Sequence, residues 1–231
     1  MSLPRIWRIE NYEYVLTKTN FFLWILNSAR NTLITLAFVL TISFVTGYFL
    51  SRFKFKGRSI LYIFFMFSVL IPGQALMIPS YVLFVNAKLL DAWYTLPISY
   101  VAASLSIAIF LIESFIKGIP TELEEAAAID GSSFSRTLFT IILPICVPIL
   151  VTVGIMTFFA AWNEFMSAMI MLKKDVLKTI PLGLSSFQGQ YATDYGRIMA
   201  GTTCAIFPVM IVYFFFSKKV MQGLMEGAIK G

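Results

Sequence analysis

Residues 117–144, KGIPTELEEAAAIDGSSFSRTLFTIILP, separate two strongly apolar segments of the chain and carry its clearest local signals. Thr121 and Glu124 have the T-x-x-E spacing of a capping box, in which each side chain accepts a hydrogen bond from the other residue's backbone N–H. This spacing predicts a short helix that begins near Glu122. Gly131 can adopt the left-handed backbone conformation, so it predicts the end of that helix.

A second helix is predicted after the glycine. Ser132 or Ser133 can cap it, and its apolar residues continue towards Pro144. The stretch is therefore predicted to be a helix–turn–helix whose exposed face combines a carboxylate with small side chains that permit close approach of another backbone. A solvated connector between two apolar segments is the alternative interpretation of the same spacing.

Long apolar segments lie on both sides of this stretch. They are Trp24–Leu50, Ile60–Phe84, Leu96–Ile116, Val147–Leu172 and Met199–Ser217. A helix needs about 20 apolar residues to cross the hydrocarbon of a bilayer, so all five qualify. None shows the ten-residue alternation of a membrane β-strand. The chain is therefore predicted to be an all-α, polytopic transmembrane helical bundle with five visible transmembrane helices.

The composition agrees with a membrane protein. Of 231 residues, 58% are hydrophobic and only 13% are charged, whereas soluble domains have about 45–50% apolar and about 25% charged residues. A soluble enzyme, a disordered chain and a secreted disulfide scaffold are excluded. The net charge of +6 indicates contact with lipid headgroups rather than with nucleic acid.

Several kinds of catalytic and metal site are excluded by the residues the chain lacks. It contains no histidine, which excludes Ser-His-Asp and Cys-His catalysis and every His-ligated metal site. Cys146 and Cys204 lie in apolar surroundings without metal-ligand spacing, so both are interpreted as packing residues. No metal site and no catalytic residue are predicted.

Charge indicates which end of the bundle faces the cytoplasm. The loop 51–59 contains four basic residues and no acid, so it is predicted to be cytoplasmic. The total count does not decide, because the 18 basic residues divide equally between the two sides. The predicted organisation is an external amino-terminal segment (1–23), a permeation domain (24–217) with a cytoplasmic loop (117–140), and a cytoplasmic tail (218–231).

This organisation predicts a further helix upstream. Five crossings place the amino end outside, yet residues 1–23 contain no apolar run that could serve as an export signal. An additional helix before this sequence is the simplest explanation.

The central loop resembles the EAA-x3-G-x9-I-x-L-P motif of binding-protein-dependent ABC importer permeases. The matching residues are Glu125, Ala126, Ala127, Gly131, Ile141, Leu143 and Pro144. In that family the element is a coupling helix that docks in a cleft of the cytoplasmic ATPase subunit, a helix-in-groove contact. The resemblance thus implies that Glu125, Ala126, Ala127, Gly131, Leu143 and Pro144 couple this chain to an ATPase.

Other segments are similar to the maltose-type carbohydrate branch of the family. They include Ile71–Gln74, Pro79–Tyr81, Trp162–Phe165 and the carboxyl-terminal tail Gly223–Gly231. The resemblance implies that Gly227, Lys230 and Gly231 contact the ATPase pair. It also implies that the outer loop with Gln188, Gln190, Tyr191 and Asp194 contacts the solute-binding protein. The family usually has six helices here, so the first is expected to be missing.

The family resemblance implies a complete transport system around this chain. It implies a second permease subunit, two ABC ATPase subunits that hold ATP and Mg²⁺, an extracytoplasmic solute-binding protein and a carbohydrate substrate. The chain itself has no G-x-x-x-x-G-K-[ST] loop, so it is predicted to be a transport subunit and not an enzyme, with no cofactor of its own. The implied location is the cytoplasmic membrane of a bacterium or archaeon, surrounded by lipid.

Candidate substrate-pathway residues are Gln74, Tyr81, Asn163 and Glu164, because a sugar site needs amide and carboxylate partners together with aromatic faces. Glu164 is predicted to lie about 25 Å along its helix, near the outer edge of the hydrocarbon, where an acid is a functional candidate. The alternative for Glu164 is a structural hydrogen bond to Asn163 or to a neighbouring helix.

Three alternative functions stay open at this point. Uptake of glycerol phosphate would need a basic cavity, and Arg30 is the only basic residue well inside an apolar segment. An ion-coupled secondary transporter would show inverted repeats and a relay of ionisable groups at the membrane midplane. Glu164, near one edge of the membrane, is the single ionisable candidate for such a relay. An intramembrane enzyme would need paired acids in the apolar segments.

Overall fold

The computed structural model describes residues 8–189 and 193–228, with side chains up to Phe214. Its α-helices are α1 (Glu10–Lys18), α2 (Phe21–Arg52), α3 (Arg58–Leu70), α4 (Met77–Asn86), α5 (Thr95–Lys117), α6 (Glu122–Ile129), α7 (Phe134–Thr137), α8 (Leu143–Trp162), α9 (Met166–Met171), α10 (Ile180–Ser185) and α11 (Tyr195–Ala228). Short 3₁₀ turns occupy Gly73–Leu76 and Asp175–Leu177, and a π turn occupies Leu138–Ile142. The described chain contains no strand, which agrees with the predicted all-α class.

Helices α2 and α5 pack closely and form the centre of the bundle. At Gly47 of α2, an added Cβ would lie 3.0 Å from the side chain of Ile112 and 3.1 Å from the backbone N of Glu113. A glycine at this point lets the two backbones approach, as small residues do in membrane helix pairs. Helix α8 packs against both, and α11 packs against α8.

Four helical spans in the described residues are long and apolar enough to cross a membrane: Phe21–Arg52, Thr95–Lys117, Phe134–Trp162 and Tyr195–Phe214. The predicted crossing Ile60–Phe84 is not one continuous helix. It consists of α3 and the segment Gly73–Asn86, which meet at an angle of 108°. Ile71 and Pro72 are both extended at this break. A proline disfavours helical angles at the residue before it and has no N–H for a helical hydrogen bond. The pair counts as a fifth crossing only as a broken span.

The predicted crossing Val147–Leu172 is also displaced. Its helix runs from Phe134 to Trp162, because α7, the π turn and α8 are continuous, and a separate short helix α9 follows. In the π turn the backbone N of Leu143 donates to the carbonyl of Leu138. The wider turn accommodates Pro144, which has no N–H to offer to a regular helical hydrogen bond.

Two ends of the bundle can be distinguished. The end of α2, the start of α3, the end of α5 and helices α6 and α7 lie together, and we call this the Arg52 end. The other end carries α1, α9, α10 and the start of α11, and we call it the Asp91 end. The core is divided accordingly: one apolar cluster surrounds Tyr48, Ile112 and Ile142, and two others surround Trp24 and Tyr100.

Asp91 fastens two loops at its own end. Its Oδ1 accepts hydrogen bonds of 2.9 Å from the backbone N–H groups of both Lys173 and Lys174. Partial burial alone raises the pKa of the Asp91 carboxyl, but these N–H groups and the Lys174 ammonium together hold the pKa below its ordinary value of 3.8. The loop after α4 is thereby tied to the loop after α9.

The start of α2 is also fixed at the Asp91 end. The Asn27 amide donates to the carbonyls of Val176 and Lys178 at 2.8 and 3.0 Å. The Ser28 hydroxyl accepts from the backbone N of Ile180 at 2.9 Å. Helix α2 begins at Phe21, three residues before the predicted Trp24, and α1 of the predicted external segment packs against α11.

Candidate functional site

Helix α6 begins at Glu122 as predicted, but the capping box does not form. Thr121 has helical backbone angles and makes no side-chain capping hydrogen bond. The backbone carbonyl of Thr121 accepts instead from the N–H groups of Glu124 and Glu125 at 2.9 and 3.1 Å. The T-x-x-E spacing therefore predicted the correct first residue of α6, but the predicted capping hydrogen bonds are absent because the Glu124 side chain points to α2.

The Glu124 carboxylate is held by two side chains of α2. Its Oε1 lies 2.6 Å from Arg52 Nε, and its Oε2 accepts a hydrogen bond of 2.5 Å from the Tyr48 hydroxyl. Arg52 also donates through Nη2 to the carbonyl of Ile119 at 2.8 Å. The side chains of Arg52 and Glu124 are 11% and 18% exposed. We call Tyr48, Arg52 and Glu124 the clamp. From the sequence, Glu124 is assigned to a capping box and Arg52 is counted among the basic residues of the loop 51–59, but the two are not paired, and Tyr48 is not singled out.

Aromatic rings cover the clamp. The Phe134 ring of α7 lies 5.9 Å from the Tyr48 ring and 6.0 Å from the Phe53 ring. The Phe53 ring stacks at 4.9 Å on that of Phe49. Such contacts add stabilisation beyond area burial, and they shield the ion pair from water. Both short helices of the central loop are thus attached to the end of α2.

The turn between α6 and α7 has the geometry that the sequence predicted. Gly131 has a φ of +77°, and the backbone N of Ser132 donates to the carbonyl of Ala127 at 2.9 Å. Ser133 caps α7 by accepting from the backbone N of Arg136 at 3.4 Å. A Cβ at position 131 would meet nothing within 4 Å, so the glycine is required by the backbone conformation and not by lack of space.

The opposite face of α6 is free. Ala127 is buried, but Glu125, Ala126 and Ala128 are exposed, and Ile129 is 86% exposed. Within the described residues, no hydrogen bond or ion pair is recorded for the Glu125 carboxylate. The predicted coupling residues Glu125, Ala126 and Gly131 therefore lie together on the surface, beside an unusually exposed isoleucine. A protruding apolar side chain among small residues is a typical helix-in-groove surface.

Of the other three predicted coupling residues, Ala127 is buried in α6, and Leu143 and Pro144 lie where the π turn meets α8, with Pro144 exposed. Leu143 is half-buried and packs on the apolar cluster of the Arg52 end, and Pro144 follows the π turn at the start of α8. They shape the connection between the loop and its span.

A cavity of about 410 Å³ lies between α8, α10 and α11. It brings together the predicted residues Asn163 and Gln188 with the aromatic rings of Trp162 and Phe165. Ser185 and Thr202 add hydroxyl groups. Apolar side chains of α10 and α11, among them Leu184 and Ile206, complete the lining. A mainly apolar cavity with a few polar groups and aromatic faces is typical of sites for small ligands. We call it the inner cavity.

Glu164 has a structural role. Its carboxylate accepts hydrogen bonds from the backbone N–H groups of Ser167 and Ala168 at 2.6 and 3.2 Å, at the start of α9. It also accepts from the Tyr100 hydroxyl at 2.9 Å. Glu164 lies in the break between α8 and α9, not on a continuous helix as predicted. Its partners are those of a helix cap and an interhelical tie.

Gln74 and Tyr81 lie away from the inner cavity. Gln74 is exposed in the 3₁₀ turn of the bent segment, and Tyr81 is half-buried on α4. The structure therefore separates the four predicted pathway residues: Asn163 lines the inner cavity, Glu164 caps α9, and the other two lie on the α3–α4 pair.

A second cavity of about 530 Å³ opens at the Asp91 end between α1, α2 and the start of α11. Asp194, predicted to contact a binding protein, lines it together with Arg197 and Tyr14. The Arg197 guanidinium lies 3.5 Å above the Tyr14 ring and 3.1 Å from Asp194 Oδ2. We call it the outer cavity. The predicted contacts Gln190 and Tyr191 lie outside the described residues.

The predicted ATPase contacts of the tail are only partly described. Gly227 lies in α11, whose backbone continues to Ala228. Lys230 and Gly231 lie outside the described residues.

Sequence reasoning missed a buried acid. Glu113 of α5 is 1% exposed and pairs with Lys117 at 2.5 Å, while the Lys117 ammonium lies 5.1 Å above the Tyr62 ring of α3. Glu164 is therefore not the single acid within the apolar segments. The spacing of four between Glu113 and Lys117 on a helix was the available signal.

Comparison with known proteins identifies the family. The family model described as "Binding-protein-dependent transport system inner membrane component" matches residues 20–224. The chain belongs to this permease family. A protein of Caldicellulosiruptor sp. (strain Rt8B.4) named as an ABC transporter permease is 40% identical over 230 residues, which cover 100% of this chain and 83% of that protein.

Two further comparisons extend the likeness. The trehalose/maltose transport system permease protein MalG of Thermococcus litoralis is 34% identical to this permease over 96% of the chain and 81% of its own length. A solved structure of a bacterial ABC transporter involved in the import of the acidic polysaccharide alginate matches with a TM-score of 0.83. That match covers 94% of this chain and 81% of the other, at 23% identity. The second likeness confirms the fold, and the family match confirms the resemblance found in the sequence.

Proposed function

We propose that this permease forms, with a second permease subunit, the membrane pathway of an ATP-driven importer for a carbohydrate, specifically an oligosaccharide. The observation that carries the proposal is the free face of α6: Glu125, Ala126 and Ile129 are exposed at the tip of a loop that is otherwise firmly attached. The trehalose/maltose name of a 34% identical relative supports the carbohydrate class.

The proposed assembly has two ABC ATPase subunits at the Arg52 end, which we assign to the cytoplasm. They bind ATP and Mg²⁺, and a cleft in one of them receives α6. Ile129 enters the cleft as an apolar anchor, and Glu125 pairs with a cation of the ATPase. Closure of the ATPases then moves the central loop, and the permease pair alternates between inward and outward access. The family tail, including Gly227, Lys230 and Gly231, reaches the same ATPases.

At the Asp91 end we propose docking of an extracytoplasmic solute-binding protein. The outer cavity contains two ion pairs, Asp194 with Arg197 and Asp175 with Lys178, together with aromatic rings. Its charges balance within the described residues, which favours polar side chains of a docked protein over a free ion. The substrate would next meet the inner cavity, where Asn163 and Gln188 provide amide groups for sugar hydroxyls.

Reconstitution tests the proposal. The permease is coexpressed with a second permease, an ABC ATPase and a solute-binding protein from the same genome, and the products are purified and placed in liposomes. We expect copurification of an ABC ATPase and ATP-dependent uptake of labelled maltotriose or another oligosaccharide. Uptake of glycerol 3-phosphate but of no sugar would overturn the substrate class. Uptake driven by an ion gradient without the ATPase would overturn the importer.

Asn163 provides a sharper test of the inner cavity. Asn163→Ala should raise the KM for sugar uptake several-fold and leave the ATPase content of the complex unchanged. Asn86→Ala is the matched control, because Asn86 carries the same amide group on the exposed end of α4, outside the cavity. An unchanged KM for Asn163→Ala would remove this cavity from the proposed pathway.

A further inference from the structure

The clamp joins two elements that a coupling movement must keep together. Glu124 lies on α6, only one residue before Glu125, while Tyr48 and Arg52 lie one helical turn apart on α2. The two glutamates have opposite environments: the Glu124 carboxylate is enclosed and has two partners, and the Glu125 carboxylate is exposed. In this helix of eight residues, Glu124 therefore faces its own subunit and Glu125 faces away from it.

We propose that Glu124 is a positioning residue that makes α6 and α2 a single rigid lever. This inference rests on the proposed function, because it concerns how force from the ATPase reaches the membrane. A push on Ile129 or Glu125 moves the clamp, and the clamp moves the cytoplasmic end of α2, the longest of the four candidate membrane spans.

The geometry explains why two partners are needed. The Arg52 hydrogen bonds run to Glu124 and to the carbonyl of Ile119, so one guanidinium holds both ends of the segment that leads into α6. The Tyr48 hydroxyl holds the second carboxylate oxygen and prevents rotation about the first bond. A single bond would act as a hinge, whereas two bonds from different points of α2 fix the orientation of α6.

The surroundings keep the clamp closed. Arg52 is the charged residue of α2 that faces Glu124. The Phe134 ring of α7 covers the Tyr48 ring. The ion pair is screened little by salt because both side chains are largely buried. At its far end α2 is tied to Lys178 and Ile180 through Asn27 and Ser28. Movement at the Arg52 end is therefore passed to the outer loops through α2.

The first test compares conservative variants in the reconstituted transporter. Tyr48→Phe keeps the ring and removes only the hydroxyl, and Glu124→Gln keeps the size and removes the charge. Both should copurify with the ATPase and hydrolyse ATP, yet transport about tenfold less maltotriose per ATP, a typical size for coupling between sites. Tyr12→Phe and Glu13→Gln are matched controls on the exposed faces of α1.

The second test measures the lever directly by spin-label distances. Nitroxides are placed at Val45→Cys on α2 and Glu122→Cys on α6, both exposed positions, with Cys146 and Cys204 replaced by Ala. Addition of ATP should leave the distance distribution narrow and unchanged in the intact clamp, and Glu124→Gln should broaden it. A shift of the distance on ATP binding with the clamp intact would overturn the proposal.

The outcomes separate this inference from the proposed function. Failure of any ABC ATPase to copurify contradicts the proposed function. Normal copurification with an unchanged sugar-to-ATP ratio in both Tyr48→Phe and Glu124→Gln overturns the lever and leaves the importer intact.

Discussion

The hydroxyl of Tyr100 donates a hydrogen bond of 2.9 Å to the carboxylate of Glu164 and so ties α5 to the break between α8 and α9. The same carboxylate accepts from two backbone N–H groups at the start of α9. Glu164 therefore joins two spans at the Asp91 end, much as Glu124 joins the central loop to α2 at the Arg52 end.

Replacing Glu164 with Gln should destabilise the permease without changing sugar specificity. The amide supplies one acceptor oxygen where the carboxylate supplies two, so at least one backbone N–H loses its partner, at a cost of about 1–3 kcal/mol. Thermal unfolding in detergent should occur a few degrees lower. Glu13→Gln, the same change at an exposed residue of α1, is the control. A changed KM with an unchanged melting temperature would restore Glu164 to the pathway.

Gly131→Val should uncouple the loop. A φ of +77° costs an L-residue about 1–2 kcal/mol and a β-branched one more, so the end of α6 should fray and its docking should weaken. We expect a several-fold loss of ATP-driven uptake in proteoliposomes. Gly73→Ala is the comparison, because position 73 also has open space but no left-handed backbone. Equal uptake by Gly131→Val and the native permease would contradict this role.

Gly183→Ala should destabilise the Asp91 end. A Cβ there would lie 2.1 Å from Cδ2 of the Trp24 ring, so either the ring or α10 must move. Such overpacking costs about 1–3 kcal/mol. Gly154→Ala is a matched change in α8, where the Cβ would meet Leu40 at an ordinary 3.7 Å. The melting temperature should fall for position 183 and stay unchanged for position 154; equal values would show that the Trp24 ring adapts freely.

Asp91→Asn should make the stability of the outer loops less dependent on pH. The folded-state pKa of Asp91 lies below the ordinary 3.8, so its charged form stabilises the fold above that pH, and the contribution is lost as the pH falls through the folded-state pKa. Native and variant permease should therefore differ in melting temperature at pH 7 and converge in strong acid. Asp130→Asn, on the exposed turn of the central loop, is the control. A gap that persists in acid would mean that the carboxylate charge does not matter.

Local signals in the sequence predicted the central loop well. Gly131 adopts the left-handed conformation and Ser133 caps α7, because both depend on backbone groups within a few residues. The apolar segments predicted the membrane class and most spans for a similar reason: the length of an apolar run is a property of the chain itself. The family motif likewise needed only spacing along the chain.

The tertiary structure decided what each polar side chain does. Glu124 was assigned to a capping box, but its carboxylate lies against Arg52, a residue 72 positions away. Glu164 was a candidate for substrate contact or for a structural hydrogen bond to a neighbouring helix. Its carboxylate caps α9 and accepts from Tyr100 of α5, which agrees with the second alternative. The broken span at Pro72 and the early end of α8 at Trp162 also escaped prediction, since hydropathy does not record where a helix bends.

The sequence by itself determined that this chain is a helical membrane permease in which a loop with the family motif lies between two of its spans. Only the tertiary structure decided which acid of that loop faces its own subunit and which faces outward. The physical reason is that hydrophobicity and backbone caps act locally, whereas an ion pair depends on which distant residues the packing of helices brings within about 3 Å.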